Sequence, residues 1–180
     1  MSAISIAPFD VRPYADTAYA PFSHLSDLSV RLVRAGKSTL SEPLNVYGSL
    51  MYPKVTGKDT GGRYAVLENT VPALSGPPLH VHHMEDESFF VLEGSFVFKV
   101  GDQLLHASQG DFLVAPKHTP HCFQNAGTEP GRLLIMVEPA GLEVFFEEIA
   151  AVAGPPDPAK LVSVFHKHGL ELLGPPLGQN

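Results

Sequence analysis

The stretch PPLHVHHMEDESFFVLEG, residues 77–94, places three histidines and four acidic residues beside a run of apolar side chains. Side chains alternate between the two faces of a strand, so His80 and His82 would point the same way and His83 the opposite way. Two imidazoles two residues apart on one strand can bind a single ion. His80 and His82 are therefore candidate metal ligands, and His83 is expected to face outward or to support the site from behind.

The acidic residues of this stretch differ in their expected surroundings. Met84 to Asp86 reads as the tip of a connection, so Glu85 and Asp86 are expected to be solvated. Glu87 begins the next apolar strand, and alternation places it on the same face as Phe89. A carboxylate on an interior face is costly unless it has a partner. Histidines with a cation between them and Glu87 would supply that partner, so Glu87 is the predicted acidic ligand.

A further histidine is expected to join them from GDFLVAPKHTPHCFQN, residues 110–125. His121 opens a candidate strand after Pro120, and it shares a strand face with Asn125. Three neutral imidazoles and one carboxylate suit one divalent transition metal, which on these ligands is iron, manganese, cobalt, nickel, copper or zinc. Four protein ligands leave one or two coordination positions open, and open positions indicate catalysis rather than a structural role.

Composition limits the classes of protein to consider. The chain has 180 residues, enough for one domain with additional terminal segments. A net charge of −7 and the absence of a basic run argue against nucleic acid as a partner. The single cysteine, Cys122, excludes an internal disulfide and is compatible with a reducing compartment. No apolar run approaches 18 residues, so no membrane partner is expected, and a cytoplasmic location is the default expectation.

The organisation of the chain predicts an all-β fold. Residues 1–43 read as a partly irregular N-terminal extension, in which residues 28–36 would form one strand. Residues 44–140 read as a barrel: NVYGSLMYP and RYAVLEN are candidate strands joined by a glycine-rich turn. Seven further short strands, each bounded by turn signals, are predicted at 79–82, 87–92, 96–100, 103–107, 111–114, 121–125 and 132–137. Many short strands with regular turns are typical of a closed barrel or a two-sheet jelly roll.

Residues 141–180 are predicted to form one or two C-terminal helices and a tail. Apolar residues recur at helical spacing in residues 141–152, and the Gly-Pro-Pro of residues 154–156 would end that helix. A second helix would begin with Asp157 as its N-cap and Pro158 at its first position, and would end at Gly169. The final residues GPPLGQN are expected to be an extended tail.

The chain resembles the cupins in two sequence motifs. The first family motif is G-(x)5-H-x-H-(x)4-E-(x)6-G, which is matched here by His80, His82, Glu87 and Gly94. The second is G-(x)5-P-x-G-(x)2-H-(x)3-N, which is matched by Gly110, Pro116, His121 and Asn125. Two positions depart from the motifs: Leu74 stands at the opening glycine of the first, with Gly76 two residues later, and His118 replaces the inner glycine of the second. The turn at His118 is therefore expected to differ, with an extra imidazole near the site entrance.

More of the chain, roughly residues 44 to 176, is similar to single-barrel quercetin dioxygenase-like cupins. The resemblance implies a single jelly-roll barrel, commonly a homodimer, with a metal held by His80, His82, Glu87 and His121. It also implies an oxygenase that takes a small aromatic or phenolic substrate beside dioxygen, with Glu87 accepting the substrate's hydroxyl proton. Two alternatives stay open, because cupins of the same ligand set differ in function. One is a metal-dependent isomerase or decarboxylase, and the other is a non-catalytic small-molecule-binding barrel.

Overall fold

A computed structural model describes residues 30–40, 42–152 and 157–178 of the chain. Residues 31–180 form one compact unit, and the other unit, Met1–Val30, lies almost wholly outside the described residues. In chain order the elements are β1 (Leu44–Val46), β2 (Ser49–Val55), α1 (Gly57–Thr60), β3 (Ala65–Val71), β4 (Pro78–His82), β5 (Asp86–Glu93), β6 (Ser95–Val100), β7 (Gln103–Ser108), β8 (Phe112–Ala115), β9 (His121–Asn125), β10 (Gly131–Glu138), α2 (Leu142–Ala150), α3 (Pro158–Lys167) and β11 (Leu170–Pro176).

The strands form two antiparallel sheets. One has six strands in the order β1-β2-β3-β10-β5-β8, and the other has five in the order β11-β4-β9-β6-β7. The largest fully buried apolar side chains come from strands of both sheets and include Phe89, Phe96, Phe98, Leu67, Leu133 and Ile135. The chain crosses repeatedly between the two sheets, from β3 to β4, β4 to β5 and β8 to β9, and these crossings around one apolar core match a jelly roll. The predicted all-β fold class is therefore confirmed.

Strand alternation follows the sequence in β5. Glu87, Phe89 and Val91 are buried, while Ser88 and the other intervening residues are half-buried. The period of two therefore directs one face of β5, including its carboxylate, into the space between the sheets. In β4 the same alternation gives His80 and His82 the interior face, and both are buried.

The two helices predicted after the barrel are present. Asp157 caps α3 as predicted, because its side chain accepts a hydrogen bond of 2.9 Å from the backbone N–H of Ala159. After α3 the chain returns as β11, which pairs with β4 in a register that places Leu172 opposite His80. The sequence had predicted an extended tail at GPPLGQN and no strand in this segment. Without β11, strand β4 would be an edge strand with unpaired backbone groups, and the pairing gives those groups hydrogen-bond partners.

Two local predictions were wrong. The strand predicted at residues 28–36 does not form over residues 30–36, the part that the structure describes. Val30 and Leu32 are exposed, so this apolar alternation faces no core that would stabilise a strand. The predicted turn between β2 and β3 contains the one-turn helix α1, in which Thr56 and Asp59 form a capping box. No helix in the described part of the chain is long and apolar enough to cross a membrane.

Glu68 holds neighbouring strands together by ion pairs. Its carboxylate lies 3.0 Å from Lys54 Nζ on β2 and 2.8 Å from a guanidinium nitrogen of Arg132 on β10. Burial raises the pKa of Glu68, but hydrogen bonds from Lys54 and Arg132 outweigh it and hold the pKa below its usual 4.5. Because the folded-state pKa is lowered, the stabilisation is complete above about pH 4.5 and is lost as the pH falls further.

We expect Glu68→Gln to lower the free energy of unfolding by about 2 kcal/mol at pH 7, since two charged hydrogen bonds lose their anion. The difference from wild type should shrink below about pH 4.5, where the wild-type carboxylate also becomes neutral. Urea unfolding at pH 7 and pH 3.5 would measure it, with the exposed Glu93→Gln as the control. An equal difference at both pH values would contradict the ion-pair account.

Candidate metal centre

Four buried side chains converge between the two sheets. His80 and His82 come from β4, His121 from β9 and Glu87 from β5. One ligand atom from each lies within 4.8 Å of the others, and their exposed fractions are between 1% and 8%. His80 and His121 are direct cross-strand partners, whereas Glu87 reaches the cluster from the opposite sheet. The structure thus brings together all four residues that sequence analysis selected.

The side chains of the cluster face one another closely. Ring centroids are 4.6 Å apart for His80 and His121, 5.1 Å for His80 and His82, and 5.2 Å for His82 and His121. Glu87 Oε2 lies 2.9 Å from His121 Nε2 and 3.4 Å from His82 Nε2. The carboxylate therefore shares one small interior volume with the Nε2 atoms of two rings.

The outward-facing ring nitrogens set the orientation of the three histidines. His80 Nδ1 lies 2.8 Å from the carbonyl oxygen of Pro78, and His121 Nδ1 lies 2.9 Å from that of Thr119. A carbonyl only accepts, so each Nδ1 carries a proton, and a neutral His80 ring then has its lone pair on Nε2. The contact between His121 Nε2 and Glu87 Oε2 requires a second proton on His121, whose place an ion would take. Metal-binding histidines typically donate their second nitrogen to a carbonyl or carboxylate in this way.

His82 completes the pattern through Glu85. Its Nδ1 lies 3.4 Å from Glu85 Oε2, slightly beyond an ordinary hydrogen bond. Both atoms are buried, and neither has a hydrogen-bond partner among the described residues, so each is the nearest candidate partner of the other. The backbone at Gly141 covers Glu85, because a Cβ there would lie 3.5 Å from Glu85 Oε1. The prediction that Glu85 is solvated was wrong: the residue is 5% exposed, because the chain entering α2 closes over the β4–β5 connection.

Burial and mutual charge keep the side chains in the forms that bind a metal. Burial is the main cause that lowers the pKa of His80, and the charges of His121 and His82 add to it, so that the pKa falls to about 3. Burial raises the pKa of Glu87, but the hydrogen bond from His121 and the charges of the three histidines outweigh it and lower the pKa to about 2. At neutral pH the site therefore presents a neutral imidazole and an ionised carboxylate.

The pKa of His121 is raised above its usual 6.5. Burial lowers its pKa, but the hydrogen bond to Glu87 and the charge of that carboxylate raise it by more. The carboxylate of Glu87 thus favours positive charge next to it in this interior volume. Three nitrogen donors around one buried anion fit a divalent transition ion. The cluster therefore suggests a metal site whose candidate ligands are His80, His82, Glu87 and His121.

Aromatic rings lie next to the cluster. Phe165 of α3 stands edge-on to His80 at 6.4 Å between ring centroids, and Phe89 stands edge-on to His121 at 6.2 Å. Phe165 in turn packs on Phe145 of α2 at 4.8 Å. Strand alternation had placed Phe89 on the same face as Glu87, whereas no sequence pattern placed Phe165 near the cluster. Helical spacing shows that Phe165 faces something apolar, but not which strand it covers.

The remaining candidates lie outside the cluster. His83 and His118 are exposed, as expected for His83 from strand alternation. Asp86 is also exposed, and its carboxylate accepts a hydrogen bond of 2.9 Å from the backbone N–H of Lys117. Leu74 and His118, which replace two of the four motif glycines, adopt left-handed backbone, with φ of 57° and 63°. The turn at His118 thus has the conformation that glycine favours, although it carries a side chain.

The motif residue Asn125 and the nearby Gly76 have structural roles. Asn125 Nδ2 donates to the carbonyl oxygens of Val71, Pro72 and Glu129, which ties β9 to the neighbouring connections. Gly76 crosses β9 so closely that a Cβ would lie 1.8 Å from the carbonyl oxygen of Phe123. Both contacts fix the strand that carries His121, so the motif specifies the support of the site as well as its ligands.

Comparison with known proteins agrees with this architecture. Residues 68–137 match the family described as Cupin domain. An uncharacterized protein of Methanocaldococcus jannaschii is 26% identical over 98 residues, which are 54% of this chain and 76% of that protein. The "Probable oxidoreductase virH" of Hypocrea virens is 33% identical over 101 residues, which are 51% of this chain and 46% of that protein. The chain therefore spans less than half the length of that relative.

Among solved structures, a Thermotoga maritima protein described as a predicted oxalate decarboxylase superposes with a TM-score of 0.54 at 20% identity. The superposition covers 60% of this chain and 98% of that one, and at this identity it concerns the fold alone. The family match and the shared fold support the cupin superfamily for this chain. The quercetin dioxygenase-like subgroup stays a prediction.

We expect Glu85→Gln to weaken metal binding by about 10- to 100-fold, because a neutral amide holds the His82 Nδ1–H less strongly than a carboxylate. A competition titration of the purified protein against a chelator would measure the change. Asp86→Asn is the matched control, since it neutralises the adjacent but exposed carboxylate. Equal affinity in wild type and Glu85→Gln would show that Glu85 does not orient His82.

Proposed function

We propose that this protein is a metal-dependent cupin oxygenase acting on a small aromatic or phenolic substrate, with an activity like that of quercetin 2,3-dioxygenase. The observation that carries the proposal is the buried cluster of three imidazoles and one carboxylate. Such a set provides four donors, fewer than the five or six that many transition ions bind, and leaves positions for exogenous ligands. The oxidoreductase description of the Hypocrea virens relative supports redox chemistry.

In this proposal His80, His82, Glu87 and His121 hold one divalent ion. The bound ion would supply Lewis acidity toward a substrate hydroxyl and redox chemistry with dioxygen. The orientation of the rings is already set before an ion binds, because His80 and His121 donate Nδ1–H to fixed backbone carbonyls. Preorganised ligands reduce the ordering cost of binding and hold the reacting groups in place.

Glu87 is the proposed base. Its lowered pKa keeps it ionised at neutral pH, so Oε2 has a lone pair for the proton of a substrate hydroxyl. The bound ion would make that hydroxyl more acidic, which this weakly basic carboxylate requires. Glu87 Oε2 lies 2.9 Å from His121 Nε2, the atom that would bind the ion, so the carboxylate points into the site. Phe89 and Phe165 supply apolar surface beside the histidines, which excludes water and suits the face of an aromatic ring.

Oxygen consumption tests this function directly. Protein loaded separately with iron, manganese, cobalt, nickel, copper or zinc would be incubated with a panel of flavonols and simpler phenols in an oxygen electrode. We expect substrate-dependent oxygen uptake with at least one metal, and a product that carries both atoms of ¹⁸O₂ by mass spectrometry. Product formed without oxygen uptake would instead support an isomerase or decarboxylase. Ligand binding without any product would support a binding barrel.

The other expected properties concern assembly and location. The homodimer implied by the resemblance stays a prediction, which light scattering of the purified chain would check. The cytoplasmic location likewise stays a prediction from sequence.

A further inference from the structure

Two exposed histidines meet outside the metal centre. His83 follows β4 and His118 lies in the connection between β8 and β9, and their Nδ1 atoms are 3.4 Å apart. Ordinary hydrogen bonds to nitrogen donors have heavy-atom distances of about 2.7–3.2 Å, so the two nitrogens face each other at a longer separation. The ring centroids lie 5.7 Å apart with an interplanar angle of 39°.

Backbone hydrogen bonds anchor the two segments that carry these rings. The N–H of His83 donates to the carbonyl oxygen of Gly169 at 2.9 Å, and the N–H of His118 donates to that of His82 at 2.7 Å. His118 also holds a left-handed backbone conformation, which side-chain-bearing residues rarely adopt. The pair is thus built on two anchored segments, although the side chains themselves face outward.

Glu171 orients the first ring. Its Oε2 lies 3.2 Å from His83 Nε2, so the carboxylate accepts the Nε2–H of that imidazole. In the neutral ring this places the lone pair on Nδ1, toward His118. A carboxylate on the second nitrogen of an imidazole is the arrangement that fixes the tautomer of a metal-binding histidine.

We propose that His83 and His118 bind a second divalent transition ion through their Nδ1 atoms, with Glu171 positioning His83. An ion about 2.05 Å from both nitrogens, which are 3.4 Å apart, would subtend an N–metal–N angle of about 110°, close to tetrahedral. Imidazole nitrogen selects zinc, copper, nickel and cobalt over calcium or magnesium. Two protein donors with water in the remaining positions make this site weaker than the buried centre. It uses none of the four residues of that centre.

Zinc titration of tag-free, chelator-treated protein, followed by calorimetry, tests the site. We expect wild type to bind zinc in two classes, one tight and one weak. His118→Gly should lose the weak class while keeping the fold, because glycine adopts a φ of 63° readily. His83→Ala should lose it too, and Glu171→Gln should weaken it about tenfold or more. His106→Ala, which removes an exposed histidine of β7, should keep it.

The test separates this site from the buried centre. In His121→Ala the weak class of zinc binding should remain while the tight class is lost. The two sites can therefore be tested independently of each other. A wild type that binds no weak class would overturn the proposal. So would a weak class that survives in both His118→Gly and His83→Ala, since the zinc would then bind elsewhere.

Discussion

Replacing His121 with alanine is expected to leave the purified protein with little transition metal, where wild type should carry about one ion per chain. His121 lies at the centre of the cluster, because it is the cross-strand partner of His80 and its Nε2 lies 2.9 Å from Glu87 Oε2. Without it the site offers two imidazoles and one carboxylate. Losing a direct ligand should cost more than the 10- to 100-fold typical of supporting residues.

Metal content would be measured by mass spectrometry after purification without oxygen, and again after supplementation with each metal. His166→Ala is the control because it removes an exposed histidine of α3. Circular dichroism in the presence of a chelator would show whether His121→Ala keeps the fold, and His121→Asn provides a second variant. A wild type that stays metal-free after supplementation would contradict both the metal centre and the oxygenase proposal.

Glu87→Gln is expected to reduce the oxygen uptake rate by about 10²- to 10⁴-fold with a substrate that wild type consumes, because the amide cannot accept the hydroxyl proton. The substitution preserves the size of the side chain, so the packing around Phe89 should change little. Removal of the negative charge should also weaken metal binding. Rates must therefore be compared at equal metal occupancy, measured on the same samples.

Glu93→Gln is the matched control for this prediction. Glu93 ends the same strand, but its side chain is 60% exposed and pairs with Arg132 rather than with the cluster. We expect Glu93→Gln to keep the wild-type rate. If Glu87→Gln at equal metal occupancy turned over as fast as wild type, Glu87 would be no more than a ligand.

The strands of the barrel were largely predictable because local patterns specify them. The strand predicted at 121–125 coincides with β9, and the one at 87–92 lies within β5. Turn residues end each strand, and a period of two selects its buried face. The strand predicted at 28–36 does not form over the described residues 30–36, because alternation alone does not show whether a core lies opposite. β11 was missed because its pairing with β4 is a tertiary contact.

The candidate ligands were predictable for a similar reason. His80 and His82 share one face of a strand, and the buried face of β5 includes Glu87. The residues that support the ligands were not predictable. Glu85 lies in a connection, and its burial depends on Gly141, which is more than fifty residues further along the chain. No local pattern records such a contact.

The sequence by itself determined most strands of the barrel, their buried faces and the four candidate ligands, because alternation and turn chemistry act over a few residues. Only the tertiary structure decided what surrounds those four residues. It placed Phe165 of α3 against His80, buried Glu85 beside His82, and brought His118 within 3.4 Å of His83. These contacts join segments that are distant in sequence or lie in connections, where the backbone path and not the side-chain period sets which groups meet.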